Sequence, residues 1–378
     1  MQTSRQPEGS GEPQGGAPVD RSEGSGEPQG GATVDRALPP VEQVVPGLWS
    51  VPVPIPGSPL PYVLAYAFEV PDGVVLVDPG WNAAEALAAL EEGLGSFGAK
   101  LEDVRGVLVT HIHPDHYGLA GRVREVSGAW VGLHPADAKL IPDRYENVDD
   151  LLERLSGWLA RTGAPAADLA ELRDATMQLR AFVVAARPDV QLRDGDRPDL
   201  PGWRLRAVHT PGHTPGHLCF VEERTGVVLT GDHVLPTISP NIARHPQAAP
   251  DPLADYLASL ERLRRWGDGL ALPGHQWRFD GLAERIDELL AHHEQRLDDV
   301  EAAVASGAET IWEVATRTAW NRPWDEIRGS MRRAALGETA AHLVHLEGRG
   351  RLERTAASPL RWRVGGQPPP VSPDTQAR

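Results

Sequence analysis

The chain has almost nothing with which to cross-link itself, very little lysine, and no long apolar run. Cys219 is the only cysteine in 378 residues. An intramolecular disulfide is therefore excluded, and any metal site has to be built from histidine and carboxylate. Lys100 and Lys139 are the only lysines, so the cationic side chains are nearly all arginine. Positive charge is also short overall, with a formal net charge of −16. That argues against a general nucleic-acid binder, whose surface must neutralise phosphates, although it leaves room for a local basic patch. No segment approaches the roughly 18 apolar residues of a membrane span, and the first residues contain no apolar run resembling a signal peptide. The expectation is a cytoplasmic protein with no membrane partner.

Residues 1–38 also lack anything to bury. They carry a tandem duplication, EGSGEPQGGAPVDR at 8–21 and EGSGEPQGGATVDR at 23–36, whose composition cannot offset the entropy of ordering. A disordered tail is expected there and again at 365–378. Between them the patterning changes three times. Val44–Val51, Tyr62–Phe68, Val74–Val77, Val104–Val109 and Trp130–Leu133 are β-rich runs punctuated by Pro and Gly, with one helix at Ala83–Leu94. Residues 144–186 then read as helical, with one apolar stripe on Leu151, Leu152, Leu155, Trp158 and Leu159 and another on Leu172, Ala175, Leu179 and Phe182. Strands resume at Trp203–Val208, Leu218–Val221, Val227–Leu229 and Leu270–Leu272. Two β-halves packed together, with helices outside, are the expected result over 41–290. Residues 291–364 read as a separate unit. A helix over 292–306, one from Thr310, one over Ala334–Leu346 and a hairpin at Arg351–Thr355 and Leu360–Val364 are the ingredients of a winged helix.

The chemistry concentrates in short turns after the apolar strands. Thr110-His-Ile-His-Pro-Asp-His116 sets three imidazoles and a carboxylate within six positions. His111 and His113 alternate onto one side and can chelate one ion, while Asp115 and His116, from the following turn, can face a second. His213 lies in His-Thr-Pro-Gly-His-Thr-Pro-Gly-His (209–217), Asp232 follows Val-Val-Leu-Thr-Gly, and His275 follows Leu-Ala-Leu-Pro-Gly. Imidazole with carboxylate suits zinc, and iron or manganese less selectively. Any one of these histidines alone would be better explained as a hydrogen-bonded structural residue; all seven residues together would not. His217, His209 and His233 are expected to orient ligands or pack. Cys219, on an apolar strand, is expected to be a small buried hydrophobe.

Over residues 41–290 these motifs resemble the metallo-β-lactamase superfamily. The resemblance implies an α/β fold, the αββα sandwich, holding two zinc ions, with iron or manganese as alternatives. His111, His113 and His213 would hold the first, Asp115, His116 and His275 the second, and Asp232 would bridge them. Asp115 and Asp232 would carry the catalytic roles. Asp78, in Val-Leu-Val-Asp-Pro-Gly, matches an early aspartate that supports the ligands without being one. Thr318-Ala-Trp-Asn-Arg-Pro-Trp324, with Arg332-Arg-Ala-Ala-Leu-Gly-Glu338-Thr, resembles the winged-helix extension of the lactamase-β-2-like subgroup, some of whose members cut single-stranded RNA and others acyl thioesters. Residues 291–364 hold eleven Arg against eleven acids, so packing, lid or homodimer duty is expected there ahead of nucleic-acid contact.

The chain departs from its relatives in two places. His116 and His213 are 97 positions apart, wide for the subgroup, and the helical stretch 144–186 fills the difference. It either packs on the sandwich or roofs the metal mouth; a roof would favour an apolar, acyl-type substrate. Only 43 positions separate Asp232 from His275, too few for the domain inserted in RNA-processing β-CASP enzymes. Aspartate at 232, where di-zinc β-lactamases generally have cysteine, argues against antibiotic hydrolysis. Four functions follow in order: a metal-dependent hydrolase of a thioester, lactone or ester with a small-molecule substrate; an endoribonuclease on single-stranded RNA; an iron oxidoreductase of the persulfide-dioxygenase kind; and a non-enzymatic nucleic-acid binder on a dead site. The apolar insertion and the acidic charge favour the first, and the complete ligand set argues against the last; two metals would acidify a shared water and polarise the bond under attack.

Overall fold

In the computed structural model, the described residues are 38–177 and 183–366. The duplicated tail at 1–37 and the end at 367–378 lie outside them. Seven strands form the first sheet in chain order: β1 Glu42–Val45, β2 Leu48–Pro54, β3 Tyr62–Val70, β4 Gly73–Val77, β5 Val104–Leu108, β6 Trp130–Leu133 and β7 Val190–Gln191. β1 to β4 pair antiparallel, and β4 to β7 run parallel. The second sheet has the order β11-β10-β9-β8, built from β8 Leu205–His209, β9 Leu218–Glu222, β10 Val228–Gly231 and β11 Ala271–Pro273. The helices are α1 Ala84–Gly95, α2 Pro114–Tyr117, α3 Ala120–Ser127, α4 Pro135–Ala138, α5 Asp149–Ala160, α6 Ala166–Met177, α7 Pro252–Leu263, α8 Leu282–Ala305, α9 Ile311–Arg317 and α10 Gly329–Gly348. A hairpin of β12 Leu352–Ala357 and β13 Leu360–Val364 follows.

Period-two alternation assigns the layers. Along β3, Val63, Ala65 and Ala67 face one core with Leu90, Leu94 and Val123 of α1 and α3. Leu64, Tyr66 and Phe68 face the other way, meeting Leu218, Phe220 and Leu229 of the second sheet. On β9, Cys219 and Val221 turn outward onto α7 and α8, with Tyr256, Leu260 and Ile286. The result is helices, sheet, sheet, helices, as the motifs imply. Cys219 is fully buried and its thiol is pushed up to about 12, burial being the main cause. It is the packed hydrophobe expected of it.

Several boundaries differ from expectation: residues 183–186 are not helical, the helix expected over Ala334–Leu346 spans Gly329–Gly348, and two further differences have a clear local cause. The run Val44–Val51 is two strands, because Pro46-Gly47 turns the chain, with Gly47 at φ +80°. The helix expected over 292–306 begins at Leu282, and Leu282, Ile286, Leu289 and His293 continue its buried stripe upstream. Residues 290 and 291 therefore lie inside α8.

The insertion does two things at once. Leu155, Leu159 and Leu172 join the core formed by α7 to α10, while Leu152 and Trp158 are half-buried at a cavity. The side chains of Ala175, Leu179 and Phe182 lie outside what is described. Polar contacts tie α6 to α10: buried Arg332 meets Asp168 at 2.7 Å, and the Gly329 amide donates to Glu171. The tryptophans of the 318–324 motif pack here too, with Arg332 over Trp312 and Trp324, and Arg296 over Trp320. Among the described residues, no helix is long and apolar enough to cross a membrane.

Candidate metal centre

Every motif residue lies just beyond the C-terminal end of a strand: Asp78 after β4, residues 111–116 after β5, His213 after β8, Asp232 after β10 and His275 after β11. The two sheets are stitched at this edge by the Leu218 amide on the Thr110 carbonyl (2.8 Å) and the Leu64 amide on the Gly274 carbonyl (2.7 Å). All seven predicted residues converge there. His111 Nε2 and His213 Nε2 stand 3.0 and 2.9 Å from His113 Nδ1. His275 Nε2 is 3.2 Å from Asp115 Oδ2, and His116 Nε2 is 3.3 Å from Asp232 Oδ1. Asp232 reaches both groups, Oδ1 lying 3.5 Å from His275 Nε2 and Oδ2 3.6 Å from His213 Nε2.

The outward ring nitrogens explain why the inward ones face each other. His116 Nδ1 donates to Asp78 Oδ2 at 2.8 Å, His213 Nδ1 to the Asn241 carbonyl at 3.0 Å, and His275 Nδ1 to the Tyr62 carbonyl at 2.9 Å. His111 Nδ1 donates to Thr110 Oγ1, whose own hydroxyl proton goes to Asp78 Oδ2. These partners fix the tautomer of four rings and leave each Nε2 lone pair pointing inward. Lone pairs about 3 Å apart repel unless a cation or proton lies between them.

Three tests of fit agree. His116 Nε2, His275 Nε2 and Asp232 Oδ1 are buried without a hydrogen-bond partner. A Cβ on Gly274 would stand 2.6 Å from His116 Cε1 and 2.7 Å from Asp232 Oδ1, so only glycine leaves the space between them free. The donors also sort into His111–His113–His213, His111–His116–Asp232 and Asp115–His116–His275, each able to hold a metal ion.

Electrostatics divide the site. Burial and the neighbouring imidazoles hold His111 and His113 well below the ordinary histidine range, so both rings are neutral at pH 7 and able to ligate a cation. On the other side burial again disfavours charge, but Asp232, Asp78 and Asp115 outweigh it and hold His116 well above its ordinary value. His275 is raised to about 10 against its own burial, by Asp232 and Asp115. The acidic half of the site thus attracts positive charge, the property a cation site requires.

Supporting residues carry part of the design. Asp78 sits at φ +55°, a strained region for a non-glycine residue, held by the Thr110 amide, the Thr110 hydroxyl and His116. His217 accepts the Asp232 amide on Nε2 and meets Thr210 Oγ1 through Nδ1, so it positions the loop that carries Asp232. His209 bonds the Pro215 carbonyl and stacks on His134 at 4.0 Å. His233 packs on Tyr256. Sequence reasoning missed Asp137. Fully buried in α4, it accepts from the Ile112 amide, the Thr214 hydroxyl and the Gly216 amide, joining the two loops that carry the first three histidines. A lone aspartate in Pro-Ala-Asp-Ala gave no local signal of this.

A family model described as the metallo-beta-lactamase superfamily matches residues 59–275, more than half of the chain. The chain belongs to the metallo-β-lactamase superfamily. With that fold and donor clusters able to hold divalent metal, it is a metallo-hydrolase of that superfamily. It is 28% identical to "Probable metallo-hydrolase YqjP" of Bacillus subtilis over 73% of this chain and 85% of that protein. Among solved structures it resembles the metallo-beta-lactamase family protein TTHA1429 of Thermus thermophilus, with TM-score 0.72, 33% identity, and coverage of 85% of this chain and all of that one. A beta-lactamase domain protein from Burkholderia ambifaria gives the same TM-score at 27% identity, covering 88% and 96%.

Proposed function

We propose that this metallo-hydrolase cleaves an ester-like bond (a thioester, lactone or ester) at a two-metal centre held by His111, His113 and His213 on one side and by Asp115, His116 and His275 on the other, with Asp232 shared. Zinc is the ion this nitrogen-and-carboxylate donor set suits best, with iron or manganese as alternatives. One observation carries the choice of bond. A cavity of about 200 Å³ opens at His113 and His213 and runs along Leu151, Leu152, Leu155 and Trp158 of α5. That wall is apolar and suits an acyl group.

When bound, the metals supply Lewis acidity and a water acidified toward neutral pH. The protein's own part is to hold the geometry. Asp232, with one oxygen toward each cluster, sets the spacing of the two cation positions. Asp115, one-fifth exposed and 3.2 Å from His275 Nε2, is the carboxylate open to solvent at the second cluster, placed to orient a water. Asp78 and the carbonyls of Asn241 and Tyr62 keep the rings from turning. The α5 wall excludes water from one side of the bond under attack. We read residues 291–364 as a winged-helix-like unit, with α10 closing the cavity and no nucleic acid required.

The test is thiol release from acyl thioesters of increasing chain length, and opening of acyl lactones, by zinc-loaded protein beside Asp232→Ala. Metal-dependent release that is lost in the variant supports the reading. Metal-replete protein that opens none of these bonds overturns it.

A further inference from the structure

The cavity beside the metal centre has an uneven chemistry. Leu152, Leu155 and Trp158 give it an apolar wall, yet two guanidinium groups, Arg144 from the turn before α5 and Arg333 from α10, also line it. Among the described residues, no carboxylate lines this cavity. The neighbouring acids are engaged elsewhere: Asp143 pairs with Arg154, and Glu146 with Arg187. Arg144 itself is half-buried and has no ion-pair partner among the described residues. An unpaired cation facing an apolar wall is costly unless something anionic arrives to meet it. In a molecule carrying −16 overall, such a local reversal of sign has to be built residue by residue.

The surroundings keep the charge positive. Burial, and then the charge of Arg144, push Arg333 down to about 10, where it remains cationic at pH 7. Burial, then Arg144 and Arg333, push His245 down to about 3, so that lining ring is neutral. Its Nδ1 accepts the Gln247 amide at 3.2 Å, so the neutral ring carries its proton on Nε2 and adds a donor to the two guanidinium groups. Gly337, on α10, brings Arg333 close to the loop after Asp232: its carbonyl accepts the Arg244 amide, and a Cβ there would stand 2.8 Å from that of Ala243.

We propose that the substrate is amphipathic, an apolar acyl body bearing an oxyanion (carboxylate or phosphate) that is held by Arg144, in the positive field to which Arg333 adds, while the bond to be cleaved lies at His113 and His213. This rests on the ester-hydrolase reading and names its substrate class. Guanidinium recognises both oxyanions through paired N–H donors, so the two sources must be separated by experiment.

The experiment compares three thioesters on the zinc-loaded protein: octanoyl-N-acetylcysteamine, which is neutral; its analogue with a carboxylate at the far end of the acyl chain; and octanoyl-CoA, whose phosphates lie on the leaving thiol. One anionic substrate is expected to exceed the neutral one in kcat/KM by about tenfold or more. That advantage is expected to shrink to near parity in Arg144→Gln and to survive in part in Arg144→Lys, with melting temperature and metal content checked in both. Preference for the second substrate identifies a carboxylate, for the third a phosphate. Equal kcat/KM for all three, or a preference that survives Arg144→Gln, overturns the proposal. Should no thioester be cleaved, the thioester branch of the ester reading fails alone. Calorimetry with octyl phosphate, octanoate and octanol then decides: binding of an anion over octanol that weakens about tenfold in Arg144→Gln supports the oxyanion pocket, and indifference to that substitution overturns it.

Discussion

At the scale of single residues, the proposed metal centre depends as much on the groups behind the donor side chains as on the donors themselves. Asp78→Asn keeps an acceptor for the Thr110 amide but replaces the acceptor of His116 Nδ1–H with a group able to present a donor. The expected outcome is a metal affinity roughly 10- to 100-fold weaker with little change in melting temperature, read by competition against a chelator. Asp137→Ala would strand two amides and a hydroxyl in a buried place and is expected to cost about 3 kcal/mol, measured from the denaturant midpoint. The seven residues that converge at the strand ends were legible in the sequence because each follows an apolar strand and carries a metal-binding side chain, a signal contained in a few neighbouring positions. Asp137, Arg144 and Arg333 were not. Asp137 meets Ile112 and Thr214 only after the sheets have formed, and Arg144 and Arg333 come to line one cavity only once the insertion docks on α10 through α6. The uneven lining of the cavity is a property of two distant segments, and no window of sequence contains it.

Among the elements, the period-two patterning of β3 and β9 let the layers be read, because each face meets a different core. Boundaries were less legible where a turn residue or a continuing stripe was overlooked, as at Pro46-Gly47 and at Leu282. The α8–α10 contact gives a prediction of its own. His293 Nδ1 meets His342 Nε2 at 3.3 Å, and His342 Nδ1 donates to the Glu338 carbonyl. Burial is the chief cause that lowers His342 to about 4, against the pull of that hydrogen bond. The unfolded chain, with an ordinary value near 6.5, takes up the proton first. The stability His342 contributes is therefore complete above about pH 6.5 and lost as pH falls toward 4, by up to roughly 3 kcal/mol. Denaturant curves of the metal-free protein across that range should fall steeply for the parent and less steeply for His342→Gln. Equal slopes would remove His342 from the account. At the cavity's far wall, Gly337→Ala would press on Ala243 and is expected to destabilise by roughly 1–3 kcal/mol, with activity falling as the segment around Asn241 shifts.

For the whole molecule, the sandwich brings five strand ends to one edge, and the insertion and C-terminal helices build a chamber beside it from residues that share one core. On the proposed reading, metal chemistry and substrate selection divide between two sets of elements. The superfamily fold supplies the donors, and α5 with α10 supplies the walls. That division rests on the claim that two cations share Asp232. Metal stoichiometry by mass spectrometry, on protein reconstituted with zinc and freed of excess, tests this most directly. About two zinc ions per chain are expected, falling in Asp232→Ala with the chain still folded. A parent protein that binds at most one ion at saturation, or an Asp232→Ala variant that retains both, would contradict it.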